Sequence, residues 1–156
     1  MSNNKTVIAE KKRPTLKNLI MTTLKKMIIF LGQTTGGRHH DYTLLKQAFP
    51  PEFPWFELIT LLVDLGFQGI QSDYEGDDIR IPHKKPRKSK QNPDPHLSVE
   101  QKQDNHAVGR VRVLVENAIA GLKRFNILTH PFRNRSENFD DDVIFVCAGL
   151  WNFYLS

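Results

Sequence analysis

The sequence predicts an α/β fold. Short runs rich in β-branched and large apolar residues fall at 15–22, 27–31 and 58–63, and segments with helical spacing fall at 41–48, 98–125 and 139–154. Turn-forming stretches rich in Gly and Pro separate the two kinds of segment. With 156 residues, 39% of them hydrophobic and 25% charged, the chain is long enough to bury one core, so a single domain is the default.

Residues 1–12 are polar apart from Val7-Ile8-Ala9 and read as a loosely held leader in which little function is expected. The apolar runs 15–22 and 27–31, with Leu24-Lys25-Lys26 between them, predict a β-hairpin. A turn-rich connection from Gly32 to Gly37 leads to Asp41, a first-turn acid or cap for a helix over 41–48, which Pro50, Pro51 and Pro54 end. Leu58-Ile59-Thr60-Leu61-Leu62-Val63 is nearly continuous in apolar residues, as expected of a strand covered on both faces. Asp64 stands at its carboxyl end, Leu65 to Gly69 follows as a turn, and Ile79-Arg80-Ile81-Pro82 predicts a short edge strand closed by proline. The stretch 83–95, HKKPRKSKQNPDP, is too polar and too rich in proline for a regular element and reads as a solvated basic loop.

Ser98 and Gln101 form a capping-box signature that opens a helix running to about Phe125. Val108, Val111, Val115, Ala118, Ile119, Leu122 and Phe125 recur at three and four and predict its buried stripe. Arg112, Glu116, Ala120 and Lys123 fall on another face. A last helix is predicted from Phe139 to Tyr154, its apolar content requiring packing on the core.

The net charge of +5 and a pI near 9.4 arise mostly from clustered Lys and Arg and point to a polyanionic partner. Cys147 is the single cysteine, so no internal disulfide forms, and its apolar neighbours Val143 to Ala148 predict a buried thiol in a reducing cytoplasm. No apolar stretch approaches the roughly 20 residues that span a bilayer, and the N-terminus lacks the apolar core of a signal peptide. The chain is therefore expected in the cytoplasm, away from membranes.

Two acidic residues admit more than one reading. Asp64 sits where open α/β sheets place their ligand sites, but an aspartate two residues before Gly66 also suits a turn. Glu116 follows Arg112 by four, the spacing of a solvated helical ion pair. Adjacent His39 and His40 rarely converge on one metal, and no third histidine or cysteine lies near them in sequence. Lys84, Lys85, Arg87, Lys88 and Lys90 are suited to contact phosphates without reading sequence, or they form a solvated surface.

Two blocks carry a resemblance: VDLGFQG at Val63 to Gly69 and RVRVLVENAIAGLKRF at Arg110 to Phe125. Together they resemble the signature blocks of DDE insertion-sequence transposases, in the bacterial group related to Harbinger-type elements. The likeness extends over KKRPTLKNLI, GGRHHDYTLL and IPHKKPRK, about nine-tenths of the chain. It implies an RNase H-like fold, a mixed five-stranded sheet flanked by helices, for 13–156. It also implies that Asp64 is the family's second carboxylate and Glu116 its third, acting on DNA through two Mg²⁺ (or Mn²⁺) ions, since carboxylates are the hard ligands that two-metal phosphodiester chemistry uses. Arg112, Lys123 and Arg124, which flank Glu116, are then placed to guide the scissile strand, and the likeness at His40-Asp41 implies a structural or supporting role for that pair.

The family's first aspartate lies on a first, central strand upstream of the block beginning at Lys11, and the surroundings of Glu10 do not resemble that block. The expectation is therefore a catalytic part that lacks one metal ligand and one strand, and that acts, if at all, when an upstream reading frame supplies them, as a homo-oligomer on insertion-sequence ends and target DNA in the bacterial nucleoid. An inactive remnant and a non-catalytic nucleic-acid-binding protein stand as the alternatives, the latter with salt-sensitive, metal-independent binding.

Overall fold

The computed structural model describes residues 16–76, 78–134 and 136–156. The predicted leader at 1–12, with Glu10, lies outside these residues, as do the starts of the first apolar run and of the 13–156 domain. The chain is mixed α/β: four short strands, a helix, two further strands around one helical turn, and two long helices. Strands β1 (Leu16–Lys17) and β4 (Thr35–Gly36) pair antiparallel, as do β2 (Ile20–Thr22) and β3 (Ile28–Leu31). The hairpin is thus present, but its first arm is split in two. Asn18 explains the break: its Nδ2 donates to the Gly32 carbonyl at 3.1 Å and to Thr34 Oγ1 at 2.8 Å, a local alternative to the ladder. The hairpin turn closes with Lys26 at φ 67° and Thr23 N–H donating to the Met27 carbonyl at 2.9 Å.

Helix α1 (Asp41–Ala48) begins and ends where the sequence predicts, with His40 as its N-cap and Asp41 ion-paired to Lys17 at 2.8 Å. Strand β5 (Thr60–Leu62) pairs parallel with β6 (Asp78–Arg80), so the strand is three residues and not the whole run 58–63. Leu61 alone of that run is buried and Leu58 is 93% exposed, which overturns the expectation of cover on both faces: β6 is itself only three residues long, so Leu58 and Ile59 before the paired segment stay exposed, while Val63 after it is half-buried. One helical turn, α2 (Ile70–Asp73), was not legible as such; Gly69 at φ 96° precedes it, a conformation open to glycine, and Ile70 is fully buried. Tyr42 donates its hydroxyl to Asp73 at 2.6 Å, joining α1 to α2; burial and this bond raise the phenol's pKa, while Lys46 and Tyr42 lower that of Asp73.

Helix α3 (Val99–Leu122) opens with the predicted capping box: Gln101 N–H donates to Ser98 Oγ at 3.1 Å, and Ser98 N–H to Gln101 Oε1 at 3.0 Å. It stops three residues before Phe125. Only Ala118 and Leu122 of its predicted stripe are buried, and Val108, Val111, Val115 and Ile119 are half-covered, because a cleft opens beneath this part of the helix. Helix α4 (Phe139–Leu155) packs across the end of α3.

Two core clusters result. One joins Ile28, Ala118, Leu122, Cys147, Ala148 and Trp151; the other joins Leu45, Phe56, Leu61, Ile70, Tyr74 and Ile79. Strand β2 serves both by alternation, Ile20 facing the first and Met21 the second. Cys147 is buried, and burial pushes its thiol pKa up. Trp151 donates its indole N–H to the Lys26 carbonyl at 3.0 Å. Asn152 receives the Ile28 N–H at 2.8 Å and donates to the Ile28 carbonyl at 2.8 Å, as a neighbouring strand would. No helix among the described residues is long and apolar enough to cross a membrane.

Candidate active site

A cleft of about 280 Å³ lies between β2, β5 and α3. Ile20 and Met21 line one side, Leu62 and Val63 the other, and Val115 and Ile119 belong to the helix above. Among the described residues β2 pairs only with β3 and β5 only with β6, so each keeps one unpaired edge.

Asp64, Arg112 and Glu116 line the same cleft, with 47%, 55% and 59% of their side chains exposed. Val63 prolongs the parallel pairing by donating its N–H to the Arg80 carbonyl at 3.0 Å, and Asp64 then caps a 3₁₀ turn at Leu65–Phe67, its Oδ1 accepting the Leu65 N–H at 2.7 Å. The turn reading of Asp64 is therefore correct as far as it goes. Its position at the end of a parallel strand is also where such sheets present groups to ligands. Arg112 and Glu116 stand one turn apart on the exposed face of α3, with Arg112 Nε 3.1 Å from Glu116 Oε1. The same guanidinium reaches Asp64, its Nη1 3.3 Å from Oδ1. Arg112 thus ties together two carboxylates from separate elements, and each retains an oxygen with no bond to the described residues.

Two carboxylates are hard donors suited to a divalent cation such as Mg²⁺. No group of three or more His, Cys, Asp or Glu side chains comes together among the described residues, so these two acids are too few to hold a pair of ions.

The sequence profile described as DDE superfamily endonuclease matches residues 1–152. The chain belongs to that family. It is also 34% identical over 143 residues to the probable transposase for insertion sequence element IS702 of Microchaete diplosiphon, a match covering 91% of this chain and 47% of that protein. The chain thus spans about half the length of that relative. No solved structure matches it.

The structure brings Asp64, Glu116 and Arg112 into one cleft, and the basic loop begins beside it. Pro82 lines the cleft, and the next residue, His83, is clamped to α3: its N–H donates to Asn105 Oδ1 at 2.7 Å, its carbonyl accepts from Asn105 Nδ2 at 3.0 Å, and its ring lies 3.2 Å from Asp104. Lys84, Lys85, Arg87, Lys88 and Lys90 then run exposed, with no ion pair among the described residues. Asn105 and Asp104 were not singled out from sequence. A polar pair in mid-helix gives no sign of a partner 22 residues earlier. Lys123 and Arg124 are not brought to the carboxylates. Lys123 lines a second cleft, of about 370 Å³, with Lys17 and Asp140. His39 and His40 are exposed at the start of α1, His39 offering its carbonyl to Lys17 at 3.2 Å.

Proposed function

We propose that the chain is the part of an insertion-sequence transposase that carries the second and third carboxylates of a DDE site, Asp64 and Glu116, on an RNase H-like scaffold. The observation that carries this reading is the convergence of both acids on Arg112 in one cleft. The unpaired edges of β2 and β5 on either side of that cleft support a first, central strand entering between them, with the first aspartate at its end. A preceding segment, encoded upstream, would supply it. Mg²⁺ or Mn²⁺, bound by the completed set of acids, would neutralise the charge that a phosphodiester gathers at its transition state and activate the attacking hydroxyl. The chain's own contribution is to hold that pair of oxygen donors, to bind phosphates through Arg112 and the basic loop, and to present insertion-sequence ends and target DNA along the exposed face of α3. Lys123 and Arg124, about three turns beyond Arg112, extend the cationic surface to the end of α3. Assembly of the completed protein with itself belongs to the same reading.

Incubation with element-end DNA and Mg²⁺ or Mn²⁺ tests it. The chain alone is expected to leave the DNA uncut, and a fusion behind the upstream segment is expected to cut it, with activity lost on Asp64→Asn or Glu116→Gln. Nicking by the chain alone that Glu116→Gln abolishes would show that two acids suffice. A fusion that binds DNA in a salt-sensitive way and never cuts, with or without metal, would favour a nucleic-acid-binding protein or an inactive remnant.

A further inference from the structure

Arg112 occupies an unusual position for a residue whose only duty is to meet a phosphate. We propose that its guanidinium is a resident counter-cation that closes the Asp64–Glu116 pair to divalent metal until a DNA phosphate draws it away; the idea rests on the assignment of that pair as metal ligands. Arg112 places one N–H on each acid, at 3.3 and 3.1 Å, and so sits between them. A positive charge there repels a second cation and uses one oxygen of each carboxylate.

The contacts are also easy to exchange. Both are longer than the roughly 2.7–2.9 Å of a strong charge-assisted bond, and they are single contacts and not a parallel fork. The Arg112 side chain is 55% exposed, so solvent screens the pairs further. A phosphate offers the same guanidinium a bidentate partner.

The route for that phosphate is on the same helix face. Asn105, which fixes the root of the basic loop, precedes Arg112 by seven residues, two helical turns, so the loop's anchor and the guanidinium lie along one line on α3. DNA held by Lys84, Lys85 and Arg87 is delivered to Arg112 from that side. Phosphate binding and metal binding are therefore coupled, each favouring the state in which Arg112 has left the acids.

The test is Mn²⁺ binding by the purified full chain, read from the electron paramagnetic resonance of free Mn²⁺. Arg112→Gln is expected to bind Mn²⁺ about tenfold more tightly than the wild type, the scale of breaking two exposed pairs. Lys102→Gln, which removes an equal charge elsewhere on α3, is expected to change little. A short DNA duplex, its own Mn²⁺ binding subtracted, should tighten the wild type and leave Arg112→Gln unchanged. Arg112→Lys, which keeps the charge but carries all its donors on one nitrogen and not on a planar guanidinium that spans both acids, should fall between the two. If Asp64→Asn with Glu116→Gln abolishes Mn²⁺ binding but Arg112→Gln binds no more tightly than the wild type, the counter-cation role is overturned and the assignment of the acids stands. If that acid pair can be substituted in the Arg112→Gln background with no loss of Mn²⁺ binding, the assignment fails and the proposal with it.

Discussion

Trp151→Ala is expected to cost about 3–5 kcal/mol of folding stability, which lowers the melting temperature of a chain of this size by roughly 10 °C. Trp151 is 7% exposed, fills the first core cluster between α3, α4 and β3, and anchors the hairpin turn through its bond to the Lys26 carbonyl. Its place depends on Gly121. A Cβ built at Gly121 would lie 2.3 Å from the indole's Cζ3, closer than any real contact, so α3 and α4 touch there through a missing side chain. Gly121→Ala is accordingly expected to destabilise by about 1–3 kcal/mol, the usual cost of overpacking. In the Trp151→Ala background the obstacle is gone, and alanine's better helix propensity should make the same substitution neutral or stabilising by up to about 1 kcal/mol. Thermal melts of the four proteins in this cycle check it. A Gly121→Ala effect of the same sign and size in both backgrounds would mean that the contact does not set the packing of the two helices.

Substituting Lys84, Lys85, Arg87 and Lys88 together by alanine is expected to reduce the salt dependence of DNA binding. Each neutralised phosphate contributes a slope of about 0.9 in log affinity against log salt, so four lost contacts should lower its magnitude by 3 to 4, at a cost of about a hundredfold or more in affinity at low salt. The loop is suited to this because its cations are exposed and carry no acidic partner among the described residues, so binding DNA breaks no existing ion pair. Asn105→Ala, which frees the root of the loop without removing a charge, should weaken binding while leaving the slope nearly intact. Titrations of one duplex at several salt concentrations separate the two. An unchanged slope in the quadruple variant would make the loop a solubilising surface.

The parts legible in sequence are those written by local chemistry. Ser98 and Gln101 are three residues apart and announce the start of α3 without help from the rest of the chain. Likewise Asp41 and the prolines after Ala48 mark both ends of α1. Local reasoning failed where a distant group decides the outcome. The division of the first strand depends on what Asn18 meets at Gly32 and Thr34, and the short reach of β5 depends on the length of β6. The candidate site shows the same division. Spacing alone pairs Arg112 with Glu116, but its bond to Asp64 spans 48 residues, and only the resemblance of the two sequence blocks joined those acids beforehand. The single mixed sheet implied by that resemblance is represented among the described residues by three two-stranded pieces, with the cleft between two of them.

The carboxamide of Asn152 gives the hairpin a direction. A strand edge is a template on which any extended peptide can dock, and proteins that leave one open risk joining to their own copies. By taking both peptide groups of Ile28, Asn152 seals β3 at that point with a side chain too short to be extended by another molecule. Recruitment of an extended segment is thereby biased to the other margin, along β2. A segment that paired along β2 would therefore also cover one of the two strand edges left open beside the cleft, that of β5 being the other.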